Sequence, residues 1–338
     1  MRSRPGTIPQ SARPVASRFL GRLAKCVLVL VAVWCGAAAA QFPARPVRLV
    51  VPFPAGGSAD TGARILAAPL SQALGQTVVV DNRPGGDGAV AGELVAKAPP
   101  DGYTLMLGTS TGMSFLPVVR RAPPYDPQQA FTPVGLAVRF VSFLFASPEL
   151  PVRTVAELID HARAHPGQLN YGTGNATSIM LTAQLLRSTG LDLVHIPYKG
   201  DAPLVTDLVA GRVQLAFIVG GAAALGHARE GRLKVLATAV SERSPMAPEV
   251  PTLAEAGVSA VSTTSWGGVF GPARLPREVV DRLARELQSV LARTEVRDQL
   301  ARQLLLASPS TPEALRDFLR QDLLDTRRLV AEAGIQPE

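Results

Sequence analysis

From Val47 onward, short apolar runs alternate with segments whose apolar residues recur every three or four positions, the pattern of an α/β protein. Val47 to Phe53 reads as a strand closed by Pro54-Ala55-Gly56-Gly57. Ser58 or Asp60 can cap the helix that follows, and Ala63, Leu66, Leu70 and Leu74 give that helix a buried stripe. Pro69 lies inside it, and an interior proline costs about 3 kcal/mol, which predicts a kink or an early end. Thr77 to Val80 is the second predicted strand, Asn82 to Gly86 its turn, and Ala89 to Ala98 a helix stopped by Pro99-Pro100-Asp101-Gly102. Tyr103 to Leu107 is a third strand, and Ala122 to Pro127 a proline-rich connection.

A second block begins near Val141. Thr154 and Glu157 form a capping box for a helix ending at His165-Pro166-Gly167. Leu169 to Tyr171 is a short strand running into the polar loop Gly172 to Ser178, which precedes another helix. Leu193 to Pro197 leads through Tyr198-Lys199-Gly200-Asp201 to a third helix start, and Val213 to Val219 and Leu233 to Ala239 complete the strands of this block. After Ser265 long helices dominate, Pro276 to Arg293 and Thr311 to Ala333, the last with a Ser310–Glu313 capping box.

The first forty residues have a different pattern. Met1 to Lys25 carries six basic residues and no acidic one, Cys26 to Cys35 is apolar, and Ala38-Ala39-Ala40 offers small residues. This is the layout of a secretory signal peptide cleaved between Ala40 and Gln41, and it predicts a periplasmic location. The apolar run is shorter than the roughly 20 residues of a membrane span. Cleavage removes six of the seven net positive charges and leaves the mature chain near +1, so the basic composition is no argument for nucleic-acid binding. Both cysteines, Cys26 and Cys35, leave with the leader, which excludes disulfides, thiolate catalysis and cysteine metal sites in the mature chain.

Candidate chemistry sits at strand–helix turns. At Ala55 to Asp60 a strand end, two glycines and a helix start come together, and a helix N-terminus offers unpaired N–H groups with about half a positive charge. No Lys-Ser/Thr pair follows, so this is not a Walker loop, and it is not GxGxxG. Thr173 to Ser178 repeats the design in the second block. Gly108-Thr109-Ser110-Thr111-Gly112 matches the G-x-S-x-G nucleophile elbow after a strand, yet no HGGG-type oxyanion loop is present and no histidine follows His227. A ligand-contacting or capping Ser110 is favoured, and a secreted serine esterase using Ser110 is the rival reading. His161 and His165 have metal-ligand spacing but lack the glutamate of HExxH, so no metal site is expected.

RPVRLVVPFPAGGSADTGAR, VVVDNRPGGDG, AKAPPDGYTLMLG, PYDPQQAFTPV, HIPYKG followed by TDLVAGRV, and VPTLAEAG before SWGGVFGP occur in this order between Arg45 and Pro272, within a resemblance that runs from about Pro43 to Ala333. In these segments the chain resembles the Bug/TctC family, the periplasmic solute-binding receptors of tripartite tricarboxylate transporters. The resemblance implies a type II periplasmic-binding-protein fold, with two α/β domains joined by crossing strands and closing on a ligand. Domain one would comprise residues 41–140 and 265–338, and domain two residues 141–264. It also implies a small carboxylated metabolite as ligand, no cofactor, a monomer, and a membrane permease or a sensor as partner.

Carried over by position, the implied ligand contacts are Phe53, Ala55, Gly56, Gly57, Ser58 and Asp60 on the first loop, and Thr109 and Ser110 at the third strand's end. Thr173, Asn175, Ala176, Thr177 and Ser178 would line the opposite domain, with Tyr198 closing the wall. The chain departs from the family pattern at Met180-Leu181, where His-Leu is frequent, and at Ile218-Val219-Gly220, where an acidic or amide residue is frequent. Asp201 replaces a small residue. If it faces the cleft it repels a second carboxylate and favours a ligand with an amine or amide; if it only caps its helix it has no such effect.

Overall fold

The computed structural model describes residues 42–240, 242–244, 247–259, 261 and 265–337. The predicted leader and its cleavage site lie outside the described residues. The chain runs through β1 (Val47–Val51), α1 (Ser58–Leu74), β2 (Val78–Asn82), α2 (Ala89–Ala96) and β3 (Thr104–Thr109). A π-helical turn, Thr111–Phe115, and short helical pieces then lead to the long strand β4 (Phe131–Phe140). The next group is β5 (Ser142–Ala146), α3 (Val155–Ala164), β6 (Asn170–Thr173), α4 (Ala176–Thr189), β7 (Val194–Pro197), α5 (Asp201–Val209), β8 (Leu215–Val219), α6 (Ala222–Arg229) and β9 (Lys234–Thr238). The chain closes with β10 (Ser265–Pro272), α7 (Arg277–Ala292), α8 (Thr294–Arg302), β11 (Leu305–Ala307) and α9 (Pro312–Glu332).

These strands form two mixed sheets, in the orders β11-β4-β10-β3-β1-β2 and β7-β6-β8-β5-β9. The apolar run of β1 pairs in parallel with β2 and β3, with helices linking the strands, so it is covered on both faces. β10 enters antiparallel between β3 and β4, which places Ser265 opposite Phe140. Only Val141 separates β4 of the first sheet from β5 of the second. Its carbonyl accepts from Gly220 N at 2.7 Å and its amide donates to Leu304 O at 3.3 Å. The chain returns to the first sheet after β9. The α/β class expected from the alternating pattern is present, and the two sheets fit the type II periplasmic-binding-protein fold that the resemblance implies.

Each sheet has its own core. Trp266, Phe270, Met113 and Leu315 are buried beside the first, and Leu144, Leu158, Leu181 and Phe217 beside the second. Full burial of such a side chain contributes about 1.5–3 kcal/mol relative to exposure. Trp266 Nε1 donates to Asp322 at 2.8 Å, and Ser114 Oγ donates to the same carboxylate. These bonds fasten α9 to β10 and to the π-helical turn. A smaller cluster joins Phe115, Val119 and Val330 to Ala176 and Met180 of α4, so apolar contact also spans the two sheets' helices.

Several local expectations need correction. α1 does not end at Pro69; it continues to Leu74 and closes on Gly75 in the left-handed conformation. Its N-cap is Gly57 with no side-chain cap, because Asp60 turns back to accept from Gly56 N at 2.9 Å. α9 is capped by Thr311, whose hydroxyl accepts from Ala314 N at 3.1 Å. Ser310 instead accepts from Leu136 N at 2.8 Å, tying the helix start to β4. The strand β10 and the α8–β11 unit were not legible from periodicity. The Thr154–Glu157 capping box is present, with bonds of 3.1 and 3.2 Å. Among the described residues no helix is long and apolar enough to cross a membrane.

Candidate functional site

A cavity of about 470 Å³ lies where the two sheets meet, between the ends of β1, β3 and β10 on one side and α5, Asn175 and β8 on the other. Three helix N-termini reach it, and the way each is capped decides what it offers. α4 is self-satisfied: Asn175 Oδ1 accepts from Ser178 N at 3.0 Å, and Ser178 Oγ accepts from Asn175 N at 3.2 Å. α1 and α5 start at Gly57 and Gly200 without any side-chain cap. The first-turn amides of Ser58 and Ala59 therefore have no intrahelical acceptor, and both residues line the cavity. Uncapped N-termini are the arrangement that suits a carboxylate.

The loop before α1 is held from behind. Asp60 is buried, receives Gly56 N, and bonds Arg64 Nε at 2.9 Å and Asn82 Nδ2 at 3.0 Å. Burial alone would raise its pKa, but bonds from Arg64, Gly56 and Asn82 and the charge of Arg64 together hold it below the usual carboxylate range. Asn82 also donates to Phe53 O at 3.0 Å. On the far wall Gly200 has φ +118°, a conformation L side chains rarely adopt, and a Cβ there would sit 3.2 Å from the Pro54 ring. The turn before α5 thus closes directly on the β1–α1 loop.

Thr109 Oγ1 is the most informative polar atom of the site. The residue is 4% exposed, lines the cavity, and its hydroxyl has no hydrogen-bond partner. A buried hydroxyl left unpaired is costly. Two residues on, Thr111 Oγ1 accepts from Ala176 N at 3.4 Å across the cleft. Phe53, Phe140, Ala59 and Val219 supply apolar walls. Of the residues lining the cavity only Asp201 ionises. Its Oδ1 accepts from Asn175 Nδ2 at 2.8 Å and its Oδ2 from Val219 N at 3.1 Å. Burial pushes its pKa up to about 7, against the opposing effect of these two bonds.

Of the positions expected from the resemblance, Phe53, Gly57, Ser58, Thr109, Asn175 and Asp201 line this cavity. Ala55, Gly56 and Asp60 stand outside its lining. Ser110, Ala176 and Thr177 line a separate space of about 820 Å³ between α4 and α9, beside Asp322 and Asp325. Ser110 Oγ lies 3.4 Å from Ser265 Oγ, and among the described residues no histidine bonds it. Thr173 Oγ1 lies 2.7 Å from His195 Nε2, and Ser178 is fully buried in its capping box. Tyr198 donates to Asp207 at 2.8 Å, and burial first, then that bond and the charge of Asp207, raise its pKa to about 12. Pro54, Ala59, Thr111, Phe140, Gly200, Ala202, Val219 and Ser265 line the cavity without having been anticipated. Among the described residues no group of three or more His, Cys, Asp or Glu side chains is placed to hold a metal ion.

The model of the family described as "Tripartite tricarboxylate transporter family receptor" matches residues 62–334. Protein BugT of Bordetella pertussis is 34% identical over 300 residues, 87% of this chain and 90% of that protein. The structure of R. palustris Rpa4515 with adipate superposes with a TM-score of 0.85 at 35% identity, covering 88% of this chain and all (100%) of that one. MatC from Rhodopseudomonas palustris with bound malate gives a TM-score of 0.80 at 30% identity, covering 86% and 100%.

Proposed function

The chain belongs to the tripartite tricarboxylate transporter receptor family, and we propose that it is an extracytoplasmic receptor that captures a small carboxylated metabolite between its two sheets. One observation carries the reading: the uncapped start of α1 and Thr109, whose buried hydroxyl has no partner, line one cavity that residues from both sheets enclose. Backbone amides with a helix dipole behind them grip an anion without a cationic side chain, and no bond of the ligand needs to break. Rpa4515 and MatC hold adipate and malate, both short carboxylates.

The two sheets and their helices act as lobes, 41–140 with 265–338 and 141–264, that separate to admit the ligand and close upon it. The single-residue link at Val141 is one hinge strand. Closure follows from differential contact, since Ser58 and Asn175 reach one ligand only when the lobes meet. The signal-peptide pattern supports a periplasmic location for the mature protein, and the family supports the permease subunits of a transporter as the partner that takes its ligand. The site residues of this reading are Phe53, Gly57, Ser58, Thr109, Asn175 and Asp201.

A thermal-shift screen of the exported chain with mono-, di-, tri- and aminocarboxylates tests it. A binder at about 100 times its Kd raises stability by roughly 2.7 kcal/mol. Absence of any carboxylate-dependent shift, together with hydrolysis of activated esters that Ser110→Ala abolishes, would replace the receptor by an esterase.

A further inference from the structure

We propose that the ligand carries an ammonium group as well as its carboxylate, and that Asp201 receives it. This rests on the receptor reading above and specifies its substrate class as a small aminocarboxylate.

The cavity has two chemically opposite poles. At one, the amides of Ser58 and Ala59 and the unpartnered hydroxyl of Thr109, 4% exposed, call for an acceptor with negative charge. At the other stands the carboxylate of Asp201. Its two oxygens each accept one neutral donor, Asn175 Nδ2 and Val219 N, and each retains a second acceptor site. Neutral donors do not cancel the charge, and among the described residues Asp201 has no ion pair. The cavity lining provides no lysine, arginine or histidine to offset it.

The placement of Asp201 is built into the fold. A Cβ on Gly174 would come within 2.4 Å of Asp201 Oδ1 and within 2.6 Å of the Gly200 backbone, so glycine at 174 lets the start of α5, with this carboxylate, pack against the β6–α4 turn. Asp201 caps no amide of α5, whose N-cap is Gly200, so helix capping does not account for its charge. A ligand with two carboxylates meets repulsion at Asp201, and one with a single carboxylate supplies no counter-charge, leaving Asp201 to be neutralised only by a proton. An ammonium group supplies the missing counter-charge, and Phe53 and Phe140 flank the carbon chain between the poles.

Isothermal titration calorimetry of the exported chain decides the matter with matched triads: butanoate, 4-aminobutanoate and succinate; pentanoate, 5-aminopentanoate and glutarate; propanoate, alanine and malonate. In the triad that binds best, the aminocarboxylate is expected to bind at least about tenfold more tightly than both partners, the discrimination due to one charge-assisted bond. Asp201→Asn is expected to reduce that preference to about threefold or less. A mono- or dicarboxylate that binds tightest in every triad would overturn the inference while leaving the receptor reading intact. So would a tenfold preference that survives Asp201→Asn. If that variant fails to fold, the ranking in the unaltered protein still decides. Absence of binding by all nine compounds would overturn this inference, while the receptor reading would fall only with the wider carboxylate screen above.

Discussion

Asn175 Nδ2 donates to Asp201 Oδ1 at 2.8 Å, so the residue that caps α4 also holds the cavity's one ionisable group. Its pKa near 7 gives the ligand-free protein an unusual pH response. Because the folded value lies above the ordinary 3.8, the folded state keeps this proton while the unfolded chain releases it. The contribution of Asp201 to stability is therefore expected to decline as pH rises from about 4 to about 7, by a few kcal/mol at most. Urea melts of the empty protein at pH 5 and 8 measure it, and Asp201→Asn should flatten that part of the profile.

Asp60 responds with the opposite sign. Its pKa is held low, so its stabilisation is present above the ordinary carboxylate range and is lost as pH falls through the depressed value. Asp60→Ala leaves Gly56 N without its acceptor and removes one of the two acceptors of Asn82 Nδ2, which keeps Phe53 O. A loss of about 2–4 kcal/mol in chemical denaturation is expected, with the acid limb of the pH profile moved.

Thr109→Val removes a hydroxyl that has no partner in the empty cavity. Stability of the ligand-free protein should stay level or rise by up to about 1 kcal/mol, whereas carboxylate affinity should drop about five- to tenfold. Paired thermal melts and calorimetry separate the two effects. Equal losses in both would mean that the hydroxyl is structural.

Gly57→Leu tests the α1 amides. Gly57 has φ −78° and ψ 169°, which any residue adopts, and an added Cβ would meet only Pro54 O at 3.5 Å. The variant should melt within about 1 kcal/mol of the parent, since strain-free surface changes are small. Its bulk then stands over the Ser58 and Ala59 amides and should abolish the ligand-induced shift.

Features carried by neighbouring residues were legible in the sequence. The β1 run, the α1 stripe and the Thr154–Glu157 box each depend on residues a few positions apart. Pro69 misled because tertiary packing of Ala63, Leu66 and Leu70 outweighs one lost helical bond. Ser310 misled because its hydroxyl had a competing partner, Leu136 N, 174 positions away. The cavity was half legible for the same reason. Phe53 and Gly57 lie within a motif, but Ser265 and Phe140 meet only through the β4–β10 register. The orphaned state of Thr109 exists only once both sheets are in place. The departure at Asp201 was visible, and its orientation was not.

The central claim is that a carboxylate is held at the start of α1 by groups from both sheets. The most direct measurement is a crystal structure of the exported chain with the carboxylate that most raises its melting temperature. The expected result places a carboxylate oxygen within about 2.7–3.2 Å of Ser58 N or Ala59 N, with Thr109 Oγ1 bonded to the ligand and Asp201 on the opposite wall. A carboxylate seated instead between α4 and α9, beside Asp322 and Asp325, with the α1 start vacant, would contradict it.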